Sequence, residues 1–385
     1  MSGTGRTQLI AARRALTPQG RLAPYWVEVT EDSAGQARIS AAGEGSPPRT
    51  PEVEVRGILS PGFIDVHCHG GGGHSFADGP EQARAAAAAH RARGTTTIIA
   101  SLVTDPVPTL RTSLEMLRPS VDAGELAAVH LEGPWLSPHH KGAHSEEFLQ
   151  HPCAEDIDDL LSTGTVAMVT LAPELPGALD AVRQVVSHGA VAAVGHTDAT
   201  YQQVTRALDA GASAGTHLFN AMRGMHHREP GPAGALLEHS AAYLELIADG
   251  VHLHPAMLRL LFAEHAERTV LVSDAMAAAA AEDGDYTLGS LDVRVSGGEA
   301  RILEPDGTVG AIAGSTLTVG AAVRYAVQQA GVPAEQALAA ATANPAAMLG
   351  LEQAGSLSVG GRADLVVLDD QLGVERVMCA GAWLG

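Results

Sequence analysis

Apolar positions fall into two textures along this chain. Up to residue 60 they come in short alternating or β-branched runs, WVEVT (26–30), ARIS (37–40) and VEVRGI (53–58). Gly/Pro/Ser clusters such as AAGEGSPPRTP separate them, which predicts short strands joined by turns. From residue 61 an apolar run followed by an amphipathic stretch repeats. The runs are FIDVH (63–67), TTIIAS (96–101), LAAVHLE (126–132), AMVTLA (167–172), VAAVGH (191–196), SAGTHL (213–218), LELIAD (244–249) and TVLVSD (269–274). Helical patterns lie between them, for instance EQARAAAAAHRAR before Gly94 and YQQVTRALDA before Gly211.

Strands that are nearly all apolar are buried on both faces, which indicates a parallel sheet. Eight of them alternating with helices close most simply as a (β/α)8 TIM-like barrel; an open doubly wound sheet is the alternative. After the eighth run, 286–308 reads as a β excursion, 316–330 and 334–349 as helical segments, and ADLVVLD (363–369) and ERVMCAG (375–381) as strands again. The β material at the two ends is expected to pair. The expected division is a small β-sandwich domain from residues 1–58 plus 353–385, and a barrel over 59–352.

Composition narrows the class. Of the 385 residues, 45% are hydrophobic and 18% charged, enough apolar surface for a large core. The formal net charge of −20 disfavours a nucleic-acid or anionic-membrane partner, since both require a basic face. No run of 18 apolar residues occurs, the first twenty residues lack a signal-peptide apolar core, and three cysteines (Cys68, Cys153, Cys379) form no CxxC. These features predict a soluble cytoplasmic protein.

Histidine carries the chemistry. All 18 lie between His67 and His265, leaving the first 66 and last 120 residues without one. His67 and His69 are i and i+2 of one strand, so they share a face and can converge on an ion. Four further runs end in a possible ligand or base: Glu132, His196, His217 and Asp274. Any one alone is more often a capping or loop residue. Together they place five strand ends where barrel active sites are built.

Glu132, His196 and His217 supply one oxygen and two nitrogens, leaving a coordination position open as a catalytic metal site requires. Asp274 is then a free carboxylate placed to act as general base. A carboxylated lysine, whose carbamate has two oxygens, often bridges two ions from the end of strand four in metal-dependent hydrolase barrels, but this strand ends LAPEL and the single lysine is Lys141. Glu132 is therefore the available bridge if two ions bind. MRGMHHREPG concentrates Arg223, His226, His227 and Arg228, read either as a solvated basic loop or as a phosphate clamp. GGGG (70–73) lacks the other P-loop residues and reads as a flexible loop; Cys68 reads as packing.

The blocks PGFIDVHCHG, HLEGPW with KGAH, VGHTDA, THLFNAMRGMHHREPG, ADGVHLH, VSDAM, AGSTLT and GRADLVVLD resemble, in order and over roughly 58–369, the N-acetylglucosamine-6-phosphate deacetylases of the amidohydrolase superfamily. The resemblance implies hydrolysis of an acetamide to acetate and an amino-sugar phosphate, with a divalent cation, zinc or ferrous iron, as cofactor. It implies Glu132, His196 and His217 as metal ligands and Asp274 as acid/base. It further implies substrate contacts from Ala143, His144, Asn220, Ala221, His227, Arg228, Asp249, His252, Ile312, Ala313 and Gly314. Some members lack the two histidines of HxH; this chain keeps His67 and His69, leaving a second metal site open. The family is commonly dimeric, so the basic loop can act across a homodimer. The rival readings are the galactosamine epimer, a cyclic-amide hydrolase, and an inactive barrel scaffold.

Overall fold

The computed structural model describes residues 7–31 and 35–385. Its centre is an eight-stranded parallel sheet whose strands neighbour one another in chain order. They are Phe63–Cys68, Thr95–Val103, Ala128–Glu132, Val166–Leu171, Val191–Val194, Ala214–Gly215, Tyr243–Ile247 and Thr269–Val272. Every one of the eight apolar runs is a barrel strand, although the sixth keeps just two residues in the ladder. The sheet closes above its last strand. Cys68 bridges in parallel to Ala275, Asp274 N–H donates to the His67 carbonyl at 2.8 Å, and His69 N–H donates to the Ala275 carbonyl at 2.7 Å. Closure of the barrel and placement of the histidines are thus one event.

The helices around the sheet bury apolar faces on it and leave one large core. The segment expected to be a single helix over 334–349 is two, Ala334–Ala340 and Ala343–Met348. At Thr342 the backbone leaves the helical region, and its hydroxyl donates to the Leu338 carbonyl at 2.7 Å. GGGG is an ordered hairpin, not a flexible loop: Gly70–Gly71 pairs with His74–Ser75, and Gly72 and Gly73 take the left-handed conformation of a tight turn.

The two chain ends do pair. Seven strands run in the order Ala382–Trp383, Val374–Cys379, Leu365–Leu368, Val53–Pro61, Thr7–Leu16, Leu22–Glu31 and Ala37–Glu44. The sheet curls until its far strand meets the segment ahead of Leu365, with Ile39 N–H donating to the Gly361 carbonyl at 3.0 Å. It encloses its own apolar core of Ile10, Val27, Ile39, Leu59, Leu365 and Met378. The strand Thr7–Leu16 escapes the alternation pattern because a bulge between Ala12 and Ala15 puts Arg13 and Arg14 side by side.

The β excursion is a four-stranded antiparallel sheet, Gly284–Leu288, Leu291–Ser296, Glu299–Leu303 and Val309–Ile312. Its buried Leu288, Val293 and Ile302 pack with Met276 and Ala313 at the mouth of the barrel. Among the described residues no helix is long and apolar enough to cross a membrane.

Candidate metal centre and cavity

The carboxyl ends of strands one, three, five, six and eight meet at one point. Glu132 is the last residue of its strand, whereas His196, His217 and Asp274 lie just beyond theirs. These three have left-handed backbones, φ 47°, 30° and 46°. For residues with a Cβ this costs roughly 1–3 kcal/mol each, and the turn it produces swings each side chain over the barrel axis. Backbone bonds hold the strained peptides in place. Ser137 N–H donates to the His196 carbonyl, Asn220 N–H to that of His217 and Ser315 N–H to that of Asp274. Gly195 must be glycine here, since a Cβ would lie 2.7 Å from both Thr170 and Thr216 side-chain carbons.

Two donor sets result. Glu132 Oε1 is 3.1 Å from both His196 Nε2 and His217 Nε2, which are 3.0 Å apart. His67 Nε2 and His69 Nε2 are also 3.1 Å apart, and lie 3.4 and 3.3 Å from Asp274 Oδ1. Tetrahedral coordination at 2.0–2.1 Å separates ligand atoms by about 3.3 Å, so both sets have the spacing of ligands around one ion. Glu132 joins them: His67 Nε2 is 3.4 Å from its Oε1 and His69 Nε2 3.2 Å from its Oε2.

The far nitrogens of three of the four imidazoles are held from behind; among the described residues Nδ1 of His217 has no hydrogen-bond partner. Nδ1 of His69 lies 3.2 Å from the Ser101 carbonyl, and Nδ1 of His196 lies 2.9 Å from the His140 carbonyl. Each carbonyl accepts an Nδ1–H and so leaves the Nε2 lone pair for a cation. Nδ1 of His67 meets a carboxylate instead, that of the buried Glu245, at 3.1 Å. Cys68 turns away from its neighbours and packs with its Sγ 3.3 Å from His90 Nε2.

Charge balance within the cluster is strong. Burial alone would raise the Glu132 and Asp274 carboxyls, but the histidines against them hold both below the usual carboxylate range. Burial would lower His67 and His69, and the same carboxylates override it and raise both. His196 goes the other way, down to about 4, because burial and the neighbouring His144 outweigh its bond to Glu132. A cluster of ionised carboxylates and imidazoles packed this closely is suited to a divalent cation in place of protons.

Above the cluster is a cavity of about 360 Å³, within the range of small-molecule sites. Ala143, His144, Asn220 and Ala221 line it from the loops after strands three and six, and His252 from the loop after strand seven. The excursion contributes Leu288, Ala311 and Ile312, followed by Gly314; Ala313 is buried beside them in that sheet's core. Asp249 stands behind the wall and bonds His252. His227 and Arg228 do not reach this cavity: both are exposed, and Arg228 Nη1 lies 2.8 Å from His227 Nε2. Arg223 is engaged in a two-toothed ion pair with Asp198 at 3.0 and 2.9 Å.

His139, His140 and Val103 line the cavity without having been singled out by sequence. His139 and His140 lacked a strand end to mark them. Glu245 had a visible signal, a carboxylate inside the apolar run LELI.

Comparison with known proteins places the whole chain in one family. Residues 58–384 match the model of the amidohydrolase family. The chain is 38% identical to an N-acetylgalactosamine-6-phosphate deacetylase of Escherichia coli O157:H7, over 97% of this chain and 98% of that one. It is likewise 38% identical to an N-acetylglucosamine-6-phosphate deacetylase of Vibrio furnissii, covering 84% and 82%. Among solved structures, a mutant N-acetyl-D-glucosamine-6-phosphate deacetylase of Mycobacterium smegmatis, in complex with N-acetyl-D-glucosamine-6-phosphate, superposes with a TM-score of 0.93 at 45% identity, covering 98% and 99%.

Proposed function

The chain belongs to the amidohydrolase family, and from that premise we propose that it hydrolyses the acetamide of N-acetyl-D-glucosamine 6-phosphate to D-glucosamine 6-phosphate and acetate. The observation that carries this reading is the convergence of Glu132, His196 and His217 with Asp274 at the floor of one cavity.

The residues fit a divalent ion at Glu132, His196 and His217, and a second at His67, His69 and Asp274 with Glu132 between them. Zinc and ferrous iron both suit imidazole and carboxylate donors. Such an ion supplies Lewis acidity, polarising the amide carbonyl and making water more acidic.

The remaining work falls to the chain's own groups. Asp274, held ionised by His67 and His69, takes a proton at Oδ from the attacking water and returns it to the departing amine nitrogen. Without that return an amide nitrogen would leave as an anion. His144 has a fixed tautomer: Thr104 N–H donates to its Nδ1 at 3.2 Å, so its proton sits on Nε2, 3.4 Å from Glu132 Oε2. His252 donates through Nδ1 to Asp249, which leaves Nε2 for the cavity. These two imidazoles are the donors for the carbonyl oxygen as it gains charge. The excursion's Leu288 and Ile312 limit water above the acetyl group.

Among the described residues no Arg or Lys lines the cavity, so the phosphate has to be held by another element. His227 and Arg228 are the candidate clamp, acting from a second copy of the chain in a homodimer. A phosphorylated sugar substrate and three unbridged cysteines suit a cytoplasmic enzyme.

The galactosamine epimer is the second reading, favoured by the near-complete coverage of the Escherichia coli relative. Acetate release from both epimers by the zinc- or iron-loaded protein tests the proposal. Faster turnover of the gluco substrate is expected. Faster turnover of the galacto substrate selects the second reading, and no acetate from either overturns both.

A further inference from the structure

Glu245 sits inside the seventh barrel strand, Tyr243–Ile247, between Leu244 and Leu246, and is fully buried. Its Oε2 lies 3.1 Å from His67 Nδ1 and accepts from the backbone N–H of His217 at 3.3 Å. Its Oε1 has no hydrogen-bond partner among the described residues. A carboxylate in the barrel interior with one oxygen unpartnered is costly to bury, and an apolar residue of the same size would fold there more readily. The contacts say what the carboxylate does. One oxygen holds the side chain of a donor in the His67/His69 set and the backbone of a donor in the Glu132/His196/His217 set.

We propose that Glu245 is a positioning residue for the metal centre: it fixes the tautomer and ring plane of His67, and so determines whether an ion binds at His67 and His69. Without an acceptor at Nδ1 the imidazole is free to carry its proton on Nε2, the atom that faces His69 and Asp274, and to rotate off the shared point. No other hydrogen-bond acceptor contacts His67 Nδ1 among the described residues. His217 depends on Glu245 differently, through a backbone N–H that already belongs to a strand end pinned by Asn220 and by Leu218 N–H on the Glu245 carbonyl. Loss of the carboxylate should therefore weaken one ion much more than the other.

The inference rests on the reading that both donor sets hold divalent ions, and the test separates the two. Apo-protein is titrated with zinc ion for wild type, Glu245→Met and Glu245→Gln. Wild type is expected to take two ions. Glu245→Met should raise the dissociation constant of the ion at His67 and His69 by roughly 10- to 100-fold, the usual cost of removing a partner behind a ligand, while the other ion changes less than about threefold. Glu245→Gln should stay near wild type, because its amide oxygen can accept both bonds. Should the methionine variant not fold, Glu245→Asp withdraws the oxygen by a methylene at constant charge and should show the same one-sided loss. Two ions bound at wild-type affinity by the folded Met or Asp variant would overturn the role of Glu245 alone. A wild-type chain that binds no zinc would overturn the metal reading itself.

Discussion

His252 donates through Nδ1–H to Asp249 Oδ2 at 2.7 Å, while Asp249 Oδ1 accepts the backbone N–H groups of Val251 and His252 itself. The carboxylate thus sets both the loop and the imidazole it carries to the cavity wall. Burial lowers the His252 pKa, but Asp249, with Asp274 and Glu299 farther off, overrides it and raises it above 6.5. Burial would raise Asp249, yet its bonds to His252 and the backbone hold it below the usual range.

The signs give a pH window. A raised histidine contributes stability that is complete below its unfolded value of 6.5 and is lost as pH rises through its folded value. A depressed Asp249 contributes stability present above 3.8 and lost as pH falls through its folded value. The cationic donor therefore persists to higher pH than in an ordinary histidine, and KM should rise on the alkaline side as His252 deprotonates. Asp249→Asn should move that rise to lower pH and shrink the stability difference between pH 6 and 9. Identical pH profiles of KM in wild type and variant would remove His252 from substrate binding.

Asp274→Asn tests the acid/base role. The change is nearly isosteric, so Ser315 N–H still donates to the residue 274 carbonyl and the fold should hold. The kcat should fall by roughly 10²–10⁴, the usual share of proton transfer, with the ion at Glu132, His196 and His217 retained. Wild-type kcat in a metal-loaded variant would place the base elsewhere.

Arg228→Ala tests the phosphate clamp. Removing a charge-assisted hydrogen bond should cost roughly 10- to 150-fold in kcat/KM on the 6-phosphate. The unphosphorylated N-acetyl sugar should be hydrolysed as poorly by the variant as by wild type. Because Arg228 lies outside its own cavity, the loss should be restored in part by mixing with an inactive Asp274→Asn chain that carries an intact loop. Restoration requires subunit exchange to form mixed dimers; an unchanged kcat/KM in the Arg228 variant would refute the clamp.

The barrel was legible because buried parallel strands write continuous apolar runs, and all eight were found at positions within a few residues of the ladder. The candidate ligands were legible because they sit at the ends of those runs. What sequence could not supply is the kink. Nothing in VGH or VSD announces a left-handed His196 or Asp274, since that conformation is imposed by hydrogen bonds from Ser137 and Ser315, remote in the chain. The strand Thr7–Leu16 was hidden for a related reason, its bulge placing two arginines where alternation expects one. Arg223 looked like part of the clamp; its partner Asp198, 25 residues earlier, takes it out of play.

His67→Ala against His217→Ala addresses the number of ions. His217 and His196 share one oxygen of Glu132 at 3.1 Å each, and together the three would make a ligand set that needs no other residue. The His67/His69 set would share Glu132, with His67 3.4 Å from Oε1 and His69 3.2 Å from Oε2, and would use Asp274 Oδ1, a group also proposed to transfer the proton. Its ion should bind more weakly for that reason, and fall away first during titration with a chelator. His217→Ala should therefore abolish turnover and leave less than one ion per chain. His67→Ala should lower activity less and retain one ion. Full activity in His67→Ala together with a single stoichiometric ion in wild type would mean that the HxH pair takes no part in catalysis.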